Sequence, residues 1–412
     1  MNLINKHNSD NTTSKSLELN NQNLILSFKS NDYEQAILLS RLLIKNNTNN
    51  TLAYTILGLS LSSIGKKADA EKIFLDGIKN NPDSSDLFNN LSNLYLEKKQ
   101  YLNAKIFAKK ATILDSYCSS SYFTLGIALN ACNEVDEAIS SMKKSFQLNH
   151  DNASALLQLG NLYKDKKLFS KALDTYRKYQ KLFPKHIEGF YNEGPLQLRN
   201  QRFKIGWDKY EIGLKNNSRC LVEGYHNEEK KLWDGKPFEG TLLVYGEQGI
   251  GDQIIFGTLL YDLKKIQKNI ILKVNEKLVA FLKYNFKNIP IYSHNEEIPK
   301  NNYSKFISIG SLCKFFRRNI SDFKNKEFKK FNVKRKKYNL KEFFCDDKPI
   351  IGISWYTTNF KTGVNRSLSY EELKKIIIKS GYNFVSLQYG HFEKQIKKLK
   401  LESNKKIISI PK

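Results

Sequence analysis

Two kinds of hydrophobic patterning divide the chain. From about residue 21, small apolar positions recur with a long period: Ala36, Ala70, Ala104, Ala138 and Ala172 stand 34 residues apart. Twelve residues before the last four lie Gly58, Ser92, Gly126 and Gly160, each preceded by a leucine (Leu57, Leu91, Leu125, Leu159). Tyr95 and Tyr163 follow three residues later, and Pro82 and Pro184 close two of the units where Ser116 and His150 stand in others. One residue type at a fixed long period predicts stacked units, each burying its apolar face against its neighbours. Leu57, Ala70 and Phe74 are then core. A degenerate sixth unit is expected where Gly194 keeps the phase, Gly206 replaces the alanine and Tyr210 follows.

From Thr241 the pattern becomes short apolar runs between turn signals. Leu242–Tyr245, Asn269–Val274, Ile289–Tyr292 and Phe306–Gly310 read as strands, with Gln253–Leu263 and Glu276–Tyr284 as helices. After a basic stretch, Phe323–Lys341, the strands Pro349–Trp355, Phe384–Gln388 and Lys406–Ile410 alternate with the helices Tyr370–Lys379 and Phe392–Lys400. Such alternation predicts parallel sheets covered on both faces.

The 34-residue period resembles the tetratricopeptide repeat, in which two helices per unit pack through those small residues. That resemblance covers about 190 residues. It implies a right-handed solenoid whose groove binds a protein or peptide. Asn89, Asn93 and Asn161 are candidates to hold a peptide backbone, or are simply solvated.

The densest chemistry lies in T-L-L-V-Y-G-E-Q-G-I-G-D-Q-I-I-F-G, Thr241 to Gly257. A strand, a glycine loop and a helix start gather unpaired N–H groups and a helix dipole, a favourable arrangement for an anion. A tight strand-to-helix turn without ligand fits the same residues. Asp252 is placed like an N-cap.

Three motifs in order, G-W-x-x-Y-E at Gly206–Glu211, L-W-D-G at Leu232–Gly235 and E-Q-G-I-G-D at Glu247–Asp252, resemble a bacterial family. Its members join tetratricopeptide repeats to a glycosyltransferase region like that of the lipopolysaccharide heptosyltransferases. The resemblance implies an α-solenoid followed by α/β, with two GT-B-like Rossmann domains and the active site in the cleft between them. The donor, a nucleotide-sugar, is expected mainly on the C-terminal domain, and a hydroxyl acceptor mainly on the first. Asp252 becomes a candidate general base, since deprotonating the attacking hydroxyl assists displacement of the nucleotide diphosphate; a helix cap remains the alternative. Glu247, Gln248, Gly249 and Gly251 form the acceptor loop, where Glu247 and Gln248 either contact ligand or tie the loop down. Ser311 and Leu312 lie just past a strand end, where open α/β sheets bind ligands.

In the second α/β stretch, G-x-S-W, a polar loop with N-R-S-L, and F-V-S-L-Q-Y-G match the same family. Thr357, Thr358, Lys361, Arg366, Ser367 and Gln388 are the candidate nucleotide-sugar contacts, supplying hydroxyl and cationic donors to a diphosphate. His391 is expected at the surface. Ser367-Leu-Ser369 caps the following helix. The family's C-terminal domain continues through further strands, whereas here Lys412 follows a βαβαβ half. The expectation is a fragment of a longer reading frame; the alternative is a degenerate relative that holds no donor, its repeats acting as a non-catalytic scaffold.

The expected organisation is a disordered tail over 1–20, the repeats over 21–216, a junction over 217–240, the first Rossmann-like domain over 241–342 and the incomplete second over 343–412. In the junction Trp233 is expected to anchor the array against the next domain. The net charge of +26 raises nucleic acid as a partner. Lys and Arg outnumber Asp and Glu by 31 to 24 before residue 231 and by 36 to 17 after it. Only nine of the 67 cations are Arg, the residue suited to bidentate phosphate recognition, which argues against that partner. Five cysteines lack C-x-x-C spacing, and no run approaches the ~18 apolar residues of a membrane span. The expected setting is a reducing cytoplasm. No cofactor and no metal are expected, because no D-x-D pair stands near a strand end.

Overall fold

A computed structural model describes residues 20–215, 231–247, 249–324, 331–332, 340–344, 346–357, 367–388, 390 and 392–409. The chain forms two compact units, one running to Phe331 and the other starting at Asn332.

The first unit opens with six helix pairs. Residues 20–29 (α1) pair with Tyr33–Asn46 (α2), Thr51–Ser63 (α3) with Lys67–Asn80 (α4), and Ser85–Glu97 (α5) with Tyr101–Leu114 (α6). Ser119–Ala131 (α7) and Val135–Leu148 (α8), then Ala153–Asp165 (α9) and Phe169–Leu182 (α10), continue the series. Glu188–Arg199 (α11) and Phe203–Lys215 (α12) form the degenerate sixth pair. All five periodic alanines are fully buried. The small residue on each first helix admits a large one from its partner. A Cβ at Gly58 would lie 2.5 Å from the Phe74 ring, at Gly126 2.7 Å from Met142 Cε, and at Gly160 2.5 Å from the Tyr176 ring. Ser92 fits the same slot by donating its hydroxyl to the Ala104 carbonyl (2.8 Å). In the sixth pair the glycine faces backbone instead of a large side chain: a Cβ at Gly194 would lie 3.2 Å from the Tyr210 amide nitrogen.

Two further 34-residue registers accompany the small residues. Asn50, Ser84 and Asn152 cap α3, α5 and α9 with side-chain oxygens, while Cys118 holds the equivalent place before α7 without such a bond. Asn31, Gly65, Lys99, Asn133, Lys167 and Gln201 all adopt positive φ, between 59° and 83°. In each unit that residue ends the first helix, and the next N–H reaches back over the last turn, as Leu168 does to Tyr163 O (2.8 Å).

The array runs into a four-stranded parallel sheet of order β3-β2-β1-β4, with β1 Thr241–Tyr245, β2 Asn269–Val274, β3 Ile291–Ser293 and β4 Lys305–Ser308. Alternation along the strands separates two apolar layers. Leu242, Val244, Ile270, Leu272, Val274 and Ile307 face a large core shared with Leu259, Leu260, Leu263, Leu278 and Leu282. These last come from Ile250–Gly257 (α13) and its C-terminal extension, Leu260–Leu263 (α14) and Glu276–Asn285 (α15). The opposite face carries Leu243, Tyr245, Ile271 and Phe306, packed with Ile298 and Tyr303. The connection on that side is short of a full helix: residues 294–304 join β3 to β4 with a 3-10 turn at Lys300–Asn302. Beyond β4 follow a 3-10 turn, Gly310–Leu312, and the short helices Cys313–Phe316 (α16) and Ser321–Lys324 (α17).

The second unit carries a three-stranded parallel sheet of order β5-β6-β7: β5 Ile350–Ile353, β6 Asn383–Ser386 and β7 Ile407–Ser409. Its helices are Tyr370–Lys379 (α18) and Glu393–Ser403 (α19). Trp355, Leu373, Ile377, Phe384, Ile396, Leu399 and Ile407 form its core. Ser369 caps α18 as expected, through a reciprocal box with Glu372.

Candidate functional site

The strand C-terminal ends of the first sheet bring together much of the loop singled out by sequence. Gly246 follows β1, and its N–H donates to Lys273 O (2.7 Å). A Cβ there would lie 2.5 Å from Gln253 Oε1. Gln253 is buried, and that same oxygen accepts from the Asn275 N–H (3.0 Å), tying α13 to the end of β2. The approach that Gly246 permits is therefore to a side chain of the fold. Gly251 differs: among the described residues no atom beyond its chain neighbours and its own helix backbone lies within 4 Å of where its Cβ would stand.

Asp252 departs from its expected place. The N-cap of α13 is Gly249, with extended backbone and no side-chain cap, so the helix begins at Ile250 and Asp252 sits in its first turn. The helix ends at Gly257 and gives way to α14, where a continuous run to Leu263 was expected. Asp252 is half-buried, and its carboxylate makes no hydrogen bond or ion pair to any described residue.

Glu247 is almost fully buried, and Oε1 accepts the Gly310 N–H (3.1 Å), joining the end of β1 to the turn after β4. Gln248 lies outside the described residues. Ser311, in that turn, donates to Glu211 Oε1 of α12 (2.8 Å) and lies 3.2 Å from the Ser308 hydroxyl. Trp207, also on α12, donates from Nε1 to Arg317 O (2.7 Å). Trp207 and Tyr210 both approach the Phe256 ring of α13. Arg317 in turn pairs with Asp262 of α14 at 2.9 Å, both side chains being buried. The last helix of the array is thus seated on the turns that carry Glu247 and Asp252. The expected anchor, Trp233, belongs instead to the sheet's own core, its N–H bonded to Phe306 O and its Nε1 to Lys236 O. Trp207 makes the join with the array.

One group of this rim escaped sequence reasoning. His294 follows β3, and its ring lies close enough to the Gly246 backbone, at the end of β1, for that group to bear on its protonation. Its Nε2 is enclosed without a hydrogen-bond partner. Burial holds its pKa below the ordinary value, and the charge of Lys273 adds to this against opposing pulls from Gly246 and Glu276. The only signal was its position just beyond a strand end.

In the second unit, Thr358, Lys361 and Arg366 lie outside the described residues, as does His391. The Ser367 hydroxyl accepts the Thr357 N–H (3.0 Å). Gln388 lies two residues beyond β6; its Oε1 accepts from the Trp355 and Tyr356 N–H groups (2.9 Å each) and its Nε2 donates to Tyr356 O. These three residues close one turn after β5. Among the described residues no cluster of metal-ligating side chains is present, and no helix is long and apolar enough to cross a membrane.

In the array, Asn161 already accepts from Tyr176 OH (2.7 Å) and Asn192, and Asn93 accepts from Thr124. Asn89 is buried, with Oδ1 unpartnered.

The tetratricopeptide-repeat family model matches residues 85–117 and 153–186. These units are tetratricopeptide repeats. The chain is 29% identical over 120 residues to human Protein O-mannosyl-transferase TMTC3, covering 28% of this chain and 13% of that protein. It is 24% identical over 153 residues to the bovine BBSome complex member BBS4, covering 37% of this chain and 29% of that one. The chain therefore spans less than a third of the length of either relative. Among solved structures, Pseudomonas aeruginosa pilF is similar at 16% identity and a TM-score of 0.43, covering 50% of this chain and 92% of that one. YrrB, a TPR protein with an unusual peptide-binding site, is similar at 18% identity and a TM-score of 0.37, covering 43% and 91%.

Proposed function

We propose that this chain transfers a sugar from a nucleotide-sugar to a hydroxyl acceptor, while its repeat array holds a protein partner. The supporting observation is Asp252: a carboxylate in the first turn of α13, at the C-terminal rim of a parallel sheet, with no bond to a described residue. A general base must be free to take a proton, and this rim is where open α/β sheets bind ligands. Gly251 beside it leaves room for close approach of a ligand. The name of the human relative is that of a transferase, but the small shared length gives that likeness little weight here.

A second reading is favoured by a different observation. Glu247, Ser367 and Gln388 all satisfy backbone N–H groups of the protein itself. On that reading the α/β part is a platform, and partner binding by the repeats is the whole function.

Titration of the full chain with UDP-glucose, GDP-mannose and ADP-heptose, followed by donor hydrolysis with purified protein, separates the two. The transferase reading expects one donor to bind and to be hydrolysed, and Asp252→Asn to lower turnover about 10²–10⁴-fold with binding retained. Binding of no donor, or equal turnover by the variant, would leave the platform reading.

A further inference from the structure

The outer edge of the first sheet holds an arrangement that neither reading uses. Among the described residues β3 is an edge strand, pairing only with β2. The register sets Leu272 opposite Ile291, and the Leu272 N–H donates to Pro290 O (2.9 Å). In a parallel ladder this means that Leu272 brackets Ile291, so the N–H and C=O of Ile291 itself point away from the sheet. Neither group has a partner among the described residues. The next outward N–H, that of Ser293, is closed by Glu296 Oε2 (2.5 Å). Along this edge runs a cleft of about 450 Å³, lined by Lys283, Lys287, Ile289, Pro290, Tyr292 and Glu296. Lys283 and Lys287 are exposed and make no ion pair with a described residue. Glu296, the one acid among the described residues of the cleft, is engaged with Ser293, whose backbone N–H above all holds its pKa below the ordinary carboxylate value.

We propose that this cleft takes an extended acidic peptide segment, which adds as a short strand beside β3. An orphan donor and an orphan acceptor on one residue, facing outward from a strand, match the backbone of an added strand. Two cations with a single, already engaged carboxylate select acidic side chains on the added strand. The lysines come from α15 and its end, so they flank the edge without occupying it. The site lies apart from Asp252 and stands whether or not sugar is transferred.

Fluorescence anisotropy with a labelled, N-acetylated Glu-Val-Glu-Val-Glu-Val-Glu peptide tests this on the full chain. Three further measurements accompany it: the same peptide with Lys for Glu, the Glu peptide with alternate amides N-methylated, and a Lys283→Glu/Lys287→Glu variant. The acidic peptide should bind, and its affinity should fall at least tenfold on N-methylation and at least tenfold for the variant, which should in turn favour the Lys peptide. Binding of the N-methylated peptide as tightly as the parent would reduce the site to a general anion attraction and overturn the proposal. Absence of binding, or equal affinity for wild type and variant, would overturn it as well, leaving the lysines as guards against edge pairing. Circular dichroism of the variant, whose changes are confined to exposed side chains, shows that its fold is kept.

Discussion

Gly246 and Gly251 stand five residues apart in one loop, and alanine at each should move stability in opposite directions. At Gly251 the backbone is helical and the space for a methyl group is empty. Alanine there should stabilise α13 by about 0.5–1 kcal/mol, the usual gain over glycine in a helix, reduced if the first turn already frays. At Gly246 the methyl group would stand 2.5 Å from Gln253 Oε1 and 2.6 Å from its Cδ. Gln253 is the far end of a flexible side chain, but it is buried and its oxygen holds the Asn275 N–H. Moving it leaves a backbone donor unpaired, so alanine should cost about 1–3 kcal/mol. Urea unfolding followed by tryptophan fluorescence gives the global difference, since Trp207 and Trp233 both report on this unit. Hydrogen exchange of the α13 amides gives the local one. Were Gly251→Ala to destabilise, the helical placement of the loop would be wrong. If it stabilises and also weakens donor or acceptor binding, glycine at 251 serves an approaching ligand and not the fold.

Lys209→Met should cost about 3–5 kcal/mol in urea unfolding. Glu193 is nearly fully buried, with Lys209 Nζ at 2.6 Å and the amides of Gln180 and Gln197 beside it. Burial pushes the Glu193 pKa up, but these partners overcome it and hold it below the ordinary value. Removing the ammonium leaves the carboxylate with two amides and the more distant Arg177 (3.7 Å); a loss under 1 kcal/mol would show that these partners suffice. Gly160→Ala should destabilise the array by about 1–3 kcal/mol by driving a methyl group into the Tyr176 ring, read by thermal melting of the helical signal. Lys167→Gly should do the reverse by about 0.5–1 kcal/mol, because its φ of 60° strains a side-chain-bearing residue. Unchanged melting would mean that the turn relaxes at no cost. His294 sets a pH dependence: with its folded pKa below the ordinary 6.5, the unfolded chain takes up the proton first as pH falls. Its contribution is present above about 6.5 and is lost below it, so wild type should lose stability relative to His294→Gln between pH 7 and 5. Parallel pH profiles of the two proteins would refute this.

The repeats were legible because their packing rests on residue type. A slot that admits only Gly or Ser beside a large partner leaves the same letter at the same place in unit after unit, as at Gly58, Gly126 and Gly160. The left-handed turn residues obey the same 34-residue register but were invisible. Backbone conformation there is imposed by the helix-ending bonds, so Lys99 and Gln201 occupy it at a tolerable cost, and no single letter marks it. In the α/β part the apolar runs located every strand to within two or three residues; β1, β2, β4 and β6 are buried nearly throughout, so little polar alternation blurs them. What could not be read was who meets whom. Glu247, a polar residue in a glycine loop, suited either a ligand contact or a tie within the loop, and only the fold shows its bond to the Gly310 N–H. His294 had no motif around it, and its nearness to Gly246 follows from the turn after β3. The helix start at Ile250 was missed because Asp252 suits a cap by residue type, while Gly249 occupies that place through its backbone alone.

The motif G-W-x-x-Y-E carries the join between the two kinds of structure, and its spacing explains how. On α12, Gly206 turns toward α11, where a Cβ would lie 2.5 Å from Leu198, so glycine lets these two helices close as a pair. Trp207, Tyr210 and Glu211 follow at one, four and five residues on, which places them together on the adjoining face of the helix. That face meets Arg317 O, the Phe256 ring and the Ser311 hydroxyl. The same helix therefore completes the sixth repeat with one side and seats on the sheet's turns with the other. A flexible linker would let the array sample many orientations, whereas here a rotation about the junction would break two hydrogen bonds and separate an aromatic cluster. Each such bond contributes about 0.5–1.5 kcal/mol net, and the buried Arg317–Asp262 pair behind them resists removal of either partner. A protein held by the repeats is thereby kept at a fixed distance and angle from the first turn of α13, where Asp252 stands.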